Sequence, residues 1–105
     1  MLFSINSGLL EACVLALLSN EDSYGYKLTQ DVKDVMSISE STLYPVLKRL
    51  QTAGFLETYD MPIDGRNRKY YRITTAGKRQ QSLYCDEWKS YKELIEKIFK
   101  GAQPS

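Results

Sequence analysis

Residues 39–54 read SESTLYPVLKRLQTAG. Leu43, Val46, Leu47 and Leu50 recur at three- and four-residue steps, the spacing of one buried helix face. Ser39 stands where an N-cap belongs, and Gly54 stands where a helix ends in a left-handed C′ residue. The pattern predicts a helix from Ser39 to about Ala53. Pro45 lies past the first turn, so it removes a backbone hydrogen bond near Ser41 and predicts a local bend. The opposite face carries Ser41, Tyr44 and Lys48 at i, i+3 and i+7, together with Gln51. These are donors, an aromatic and a cation, the side chains a groove-reading surface needs. Thr42 sits near the helix start, where a side chain meets a phosphate or a base edge. Taken alone, the same face fits an ordinary solvated helix equally well.

The next stretch gives that face a context. Phe55 to Asp60 alternates imperfectly, and Lys69 to Ile73 alternates well, with Tyr71 and Ile73 on one side and Tyr70 and Arg72 on the other. Between them run residues 61–68, with Asp64-Gly65 as a turn signal. The reading is a β-hairpin with Arg66, Arg68 and Lys69 on its tip. From Arg66 to Arg79 there are six basic residues and no acidic one, whereas Met1 to Gly54 holds four basic and six acidic residues. A formal net charge of only +1 hides this asymmetry. A local basic feature is what an electrostatic footprint on a phosphate backbone requires.

Upstream, residues 5–20 place Leu9, Leu10, Cys13, Val14, Leu17 and Leu18 on one helix face, with Asn6 or Ser7 as cap. Ala12, Leu15 and Ala16 lie off that face, which predicts a helix buried on two sides. A polar break at residues 20–23 precedes a second helix, Tyr24 to Val35, with Tyr24, Leu28, Val32 and Val35 on its stripe and Asp22 or Ser23 as cap. Gly25 in its first turn permits close approach of another backbone. Downstream, Thr74 caps a last helix from about Thr75 to Lys100, long for a domain of this size. On it Leu83 or Tyr84, then Trp88, Tyr91, Ile95 and Ile98, repeat in a heptad-like seam. The reading for residues 101–105 is a frayed tail.

The predicted order is therefore helix, helix, helix, hairpin, helix. The fold class is mainly α with a small β-hairpin: a winged helix-turn-helix over residues 1–75, and a C-terminal dimerisation helix with its tail over residues 76–105. The third helix would enter the major groove and the hairpin would be the wing. A chain of 105 residues leaves little room for a second domain, and a domain so small is often stabilised by oligomerisation. Apolar content of 43% and charged content of 26% are ordinary for a globular protein. Neither a signal peptide nor a membrane span fits residues 1–18, because a basic leader is missing and Glu11 interrupts the apolar run. Two isolated cysteines, Cys13 and Cys85, without any histidine, argue against a metal site and read as reduced, buried thiols of a cytoplasmic protein. No cofactor is implied. Without histidine, a glycine-rich phosphate loop or a carboxylate pair, the sequence also argues against an enzyme.

The residues themselves resemble a known family. Ser41 to Leu50, followed by Gly54-Phe55-Leu56, resembles the core signature of PadR-like transcriptional regulators. Ser23-Tyr24-Gly25-Tyr26-Lys27-Leu28 is similar to that family's second-helix motif, and Gly65 to Thr74 with Gly77 to its wing and exit. Asn67 stands where the family more often has proline. The resemblance implies a homodimeric repressor of double-stranded operator DNA, with Ser41, Thr42, Tyr44, Lys48, Arg66, Arg68 and Lys69 as DNA-binding residues. It implies the short subclass, which includes multidrug-responsive regulators that bind flat aromatic compounds between paired tryptophans. On that implication Trp88 meets the ligand, with Ala12 and Leu15 lining the same space, Tyr84 one turn before and Lys92 one turn after. Two readings of Trp88 stay open: ligand platform or interface packing. The alternative for the whole chain is a winged-helix module for protein–protein assembly without DNA binding. The basic wing argues against it, since assembly does not need three exposed cations.

Overall fold

The computed structural model describes residues 7–102. The elements are α1 (Ser7–Asn20), α2 (Gly25–Lys33), α3 (Glu40–Thr52), β1 (Leu56–Ile63), β2 (Arg66–Ile73) and α4 (Thr75–Ala102). This is a winged helix-turn-helix: three short helices, a two-stranded antiparallel wing and a long C-terminal helix. The caps read at Asn6, the helix start at Ile5 and the last residues of the tail lie outside the described residues.

The α3 face behaves as its spacing requires: Leu43, Val46, Leu47 and Leu50 are all buried. At its end Gly54 adopts φ +83°, and the amides of Gly54 and Phe55 donate to the carbonyls of Gln51 and Leu50. That pairing satisfies two orphan carbonyls in a Schellman arrangement and turns the chain into β1. Pro45 sits inside a helix that stays continuous around it. Ser39 precedes the helix in an extended conformation, but its hydroxyl is bonded to Ser41 Oγ at 2.8 Å instead of capping an amide.

Several expectations need correction. Val35 is exposed, because α2 stops at Lys33 and Met36 takes the buried place beyond it. Neither Asp22 nor Ser23 caps α2; Tyr24 holds the N-cap position without a side-chain bond. Ser23 instead exchanges backbone hydrogen bonds with Tyr71, at 3.2 and 2.7 Å, and so ties the entry of α2 to the wing. The strands also run further into the hairpin than the alternation implied. Ile63 pairs with Arg66, leaving only Asp64 and Gly65 as the turn. Both have positive φ, 50° and 76°, as a type I′ connection demands. The expectation of two buried thiols is corrected: Cys13 is half-buried against the core and Cys85 is exposed on α4. Burial raises the Cys13 thiol above its ordinary range.

Thr74 caps α4 as expected, accepting the Gly77 amide at 3.0 Å while its hydroxyl donates to the Gly54 carbonyl at 2.7 Å. A Cβ at Gly77 would lie 2.2 Å from the Phe55 carbonyl oxygen, so only glycine lets α4 leave the wing this closely. The core joins Leu10, Val14, Leu15 and Leu18 of α1 to Leu28, Val32, the α3 face, Leu56, Tyr71 and Ile73. The remainder of α4 projects past this core. The radius of gyration is 16.1 Å, against about 13 Å for a compact chain of this length.

Candidate nucleic-acid interface

The surface of α3 opposite the core carries Ser41, Thr42, Tyr44 and Lys48, all exposed. Gln51 is half-buried. Tyr44 lies over the start of α2: a Cβ on Gly25 would sit 2.7 Å from both Cε1 and the hydroxyl oxygen of Tyr44. The close approach read for Gly25 is therefore that of a side chain. The Tyr44 hydroxyl donates to Glu40 Oε2 at 3.0 Å. Burial first, and then the bond to Glu40, hold this phenol above its ordinary range.

A groove separates the wing from the start of α2 and from Tyr44 of α3. Tyr24, Tyr26, Tyr44, Arg66, Arg68 and Lys69 are among the residues that line it. The three basic wing residues do not form one face, however. Strand alternation puts Arg66 and Arg68 on the side of Tyr70, and Lys69 on the side of Tyr71. Arg68 is also less free than a turn residue would be. Its guanidinium stacks 4.1 Å over the Tyr24 ring, which meets Tyr70 edge-on at 5.4 Å. Tyr70 stacks on Tyr59, over which lies Arg72. Lys69 Nζ sits 5.5 Å above the Tyr71 ring.

Charge pairing sorts the cations. Arg72 is bound to Glu57 at 2.8 Å and Arg49 to Glu11 at 3.1 Å. Among the described residues, Lys48, Arg66, Arg68 and Lys69 form no salt bridge. Of these, Arg66, Arg68 and Lys69 line the groove. The aromatic ladder under Arg68 is what sequence reasoning missed. No local pattern announced it, because Tyr24, Tyr59 and Tyr70 lie far apart in the sequence and meet only where the hairpin pairs Tyr59 with Tyr70 and Ser23 pairs with Tyr71.

A second, apolar groove runs between α1 and α4, and Leu9, Ala12, Tyr84, Trp88, Tyr91 and Leu94 are among its lining residues. It brings together Ala12, Tyr84 and Trp88 from the residues assigned to a ligand space. It does not include Leu15, which is fully buried in the core. Residue 15 falls on the inner side of α1 because this helix packs against α2, α3, β2 and α4. Lys92 is exposed and stands outside the groove. Along the predicted seam, Trp88, Tyr91 and Ile98 are exposed and Ile95 is half-buried. Tyr84 is half-buried against the chain's own core, its hydroxyl bonded to Glu11. Leu83, the alternative first residue of the seam, is exposed, and Leu94 and Phe99 add exposed apolar surface that the heptad reading left out.

Among the described residues no group of three or more acidic, cysteine or histidine side chains comes together to hold a metal. No helix among them is long and apolar enough to cross a membrane.

Residues 14–82 match the Transcriptional regulator PadR-like family. An uncharacterized protein of Lysinibacillus sphaericus is 37% identical over 101 residues, covering 91% of this chain and 93% of that one. Transcriptional regulator Rv3488 of Mycobacterium tuberculosis is 30% identical over 89 residues, covering 84% and 80%. The crystal structure of smu.1704 from Streptococcus mutans aligns with a TM-score of 0.91 at 42% identity, covering 100% of this chain and 99% of that chain. The PadR-like transcriptional regulator BC4206 of Bacillus cereus aligns with a TM-score of 0.81 at 30% identity, covering 88% and 92%. The family match runs from the middle of α1 into the first turns of α4 and takes in every element of the wing and the helix-turn-helix; the chain belongs to the PadR-like family of transcriptional regulators.

Proposed function

We propose that this regulator is a homodimeric repressor that binds double-stranded operator DNA, with α3 in the major groove and the wing on the adjacent backbone. The observation that carries the reading is the groove between α3 and the wing. It sets Tyr44 of α3 and Tyr24 and Tyr26 at the start of α2 opposite Asp64, Arg66, Arg68 and Lys69 of the wing, the three cations without acidic partners among the described residues. Polar and aromatic side chains on one wall suit base edges, and cations on the other suit phosphates. Dimerisation is assigned to α4, where Trp88, Tyr91, Leu94, Ile98 and Phe99 are each about half exposed or more in the single chain. That much apolar surface on a helix projecting past the core is the mark of an interface. The winged part, through residue 75, is assigned to DNA and the remainder to the dimer.

The test is selection from a pool of random duplexes by the purified chain. A dyad-symmetric motif with half-sites about one helical turn apart supports the reading. A recovered pool with no motif contradicts it.

The apolar groove favours a further element of the same reading: relief of repression by a flat aromatic ligand. Trp88, 48% exposed, forms part of a groove lined by Leu9, Ala12, Tyr84, Tyr91 and Leu94, with Asp86, Glu87 and Ser90 also on its walls. A second chain docked on α4 would close this groove over a planar guest. Such a ligand relieves repression only by preferring one arrangement of the two DNA-binding units.

A further inference from the structure

The hydrogen-bonding sense of Tyr44 is set by its neighbour. Its hydroxyl donates to Glu40 Oε2, one turn earlier on α3. A phenol has one hydrogen to give, and once that hydrogen is committed the oxygen has acceptor capacity alone. The carboxylate beside it is also an acceptor only. The ring lies against Gly25 on its inner side, and Tyr44 as a residue remains 45% exposed and lines the groove. Glu40 is the first residue of α3, the end that meets base edges when such a helix lies in the major groove. Arg66, Arg68 and Lys69 line the far wall, but none forms a salt bridge with Glu40.

Resting on the reading of α3 as the recognition helix, we infer that the Tyr44–Glu40 pair selects, in each half-site, a base carrying an exocyclic amine in the major groove. That base is cytosine or adenine, and guanine and thymine are rejected at the same place. Cytosine offers its N4 amine and adenine its N6 amine, whereas guanine O6 and thymine O4 are acceptors. An acceptor facing two acceptors leaves oxygens unpaired in a desolvated interface, which is how a polar site rejects the wrong partner. A phosphate is an equally poor partner for a carboxylate, so this end of α3 does not track the backbone. Lys48, one turn beyond Tyr44, carries the opposite sense: its ammonium donates, and it suits guanine O6 and N7.

The experiment is random-duplex selection with the wild type, Glu40→Ala and Tyr44→Phe, each checked for helix content by circular dichroism. The wild-type motif is expected to contain one column per half-site with cytosine or adenine on a fixed strand, in about tenfold excess. Glu40→Ala releases the phenol hydrogen to be donated, so guanine and thymine are admitted and that column flattens while the others persist. Tyr44→Phe, which keeps the ring on Gly25, weakens the same column. Variant motifs identical to the wild type at every column overturn the inference and leave DNA binding standing. Failure of the wild type to enrich any motif overturns the reading of DNA binding beneath it.

Discussion

Tyr84 of α4 donates a hydrogen bond to Glu11 of α1 at 3.0 Å, across 73 residues of chain. The other carboxylate oxygen of Glu11 accepts from Arg49 Nε of α3 at 3.1 Å. One side chain of α1 thereby holds both the helix assigned to DNA and the helix assigned to the dimer. Tyr84 also lines the groove of Trp88. Whatever enters that groove meets a residue that is one hydrogen bond removed from the carboxylate gripping α3.

Tyr84→Phe keeps the ring and removes the bond, so it is expected to cost about 1 kcal/mol, a fall in Tm of roughly 4–8 °C. The variant also changes the response to alkali. Burial, and then the bond to Glu11, raise the Tyr84 phenol above its ordinary range. The folded state therefore keeps this proton to higher pH than the unfolded chain, whose tyrosines titrate near about 10. The stabilisation is complete below that pH and is lost as pH rises through the folded value. Thermal unfolding between neutral and strongly alkaline pH should show a shallower loss of Tm in the variant. Superimposable profiles would remove Tyr84 from this role.

Gly25→Ala should separate stability from recognition. The added Cβ meets the far end of the Tyr44 side chain, at 2.7–2.9 Å, and that side chain can swing aside. Helix propensity favours alanine over glycine by up to about 1 kcal/mol. The expected result is little change in Tm with a loss of base discrimination at the Tyr44 column of the selected motif. A large fall in Tm with an unchanged motif would show that Tyr44 cannot yield and does not read.

Truncation after Gln81 should leave a chain that is monomeric, poorly soluble and weak on DNA. It removes the exposed stripe from Leu83 to Phe99 but also the Tyr84 contact with the core. Analytical ultracentrifugation of the full chain and of Tyr91→Glu, which leaves the core untouched, isolates the interface. The full chain is expected to sediment as a dimer and Tyr91→Glu as a folded monomer. A monomeric full chain with full operator affinity would contradict the assignment of α4.

The helices were legible because their apolar spacing answers to one local core: Leu43, Val46, Leu47 and Leu50 had no other use. The turn was legible because Asp64-Gly65 suits positive φ at both positions. What periodicity could not reach was contact between distant segments. Ser23 pairing with Tyr71 is a backbone event with no side-chain signature, and the stacking of Arg68 on Tyr24 follows from it. Leu15 looked peripheral on a helix apolar on nearly every side, where no stripe distinguishes core from groove. Packing against four other elements decided it. Val35 looked buried because the stripe continued through it, but the helix had already ended.

Trp88 is the only tryptophan, so its fluorescence reports the α1–α4 groove without interference. Planar aromatic dyes should quench it saturably in the wild type and bind far more weakly to Trp88→Ala, provided that the variant still dimerises. A broad panel of planar cations, anions and neutral compounds without quenching would leave Trp88 as a packing residue and remove the proposed ligand.

The most direct test of the proposed DNA-binding surface is the salt dependence of affinity for a selected duplex. Arg66, Arg68 and Lys69 carry no acidic partner among the described residues, so each phosphate contact they make releases a counterion. The logarithm of the binding constant should fall linearly with the logarithm of salt concentration. Alanine at Arg66 or at Arg68 should reduce the slope by about one unit and weaken all sequences alike. Unchanged slopes in both variants, or a changed base preference with the slope intact, would contradict the placement of the wing on the phosphate backbone.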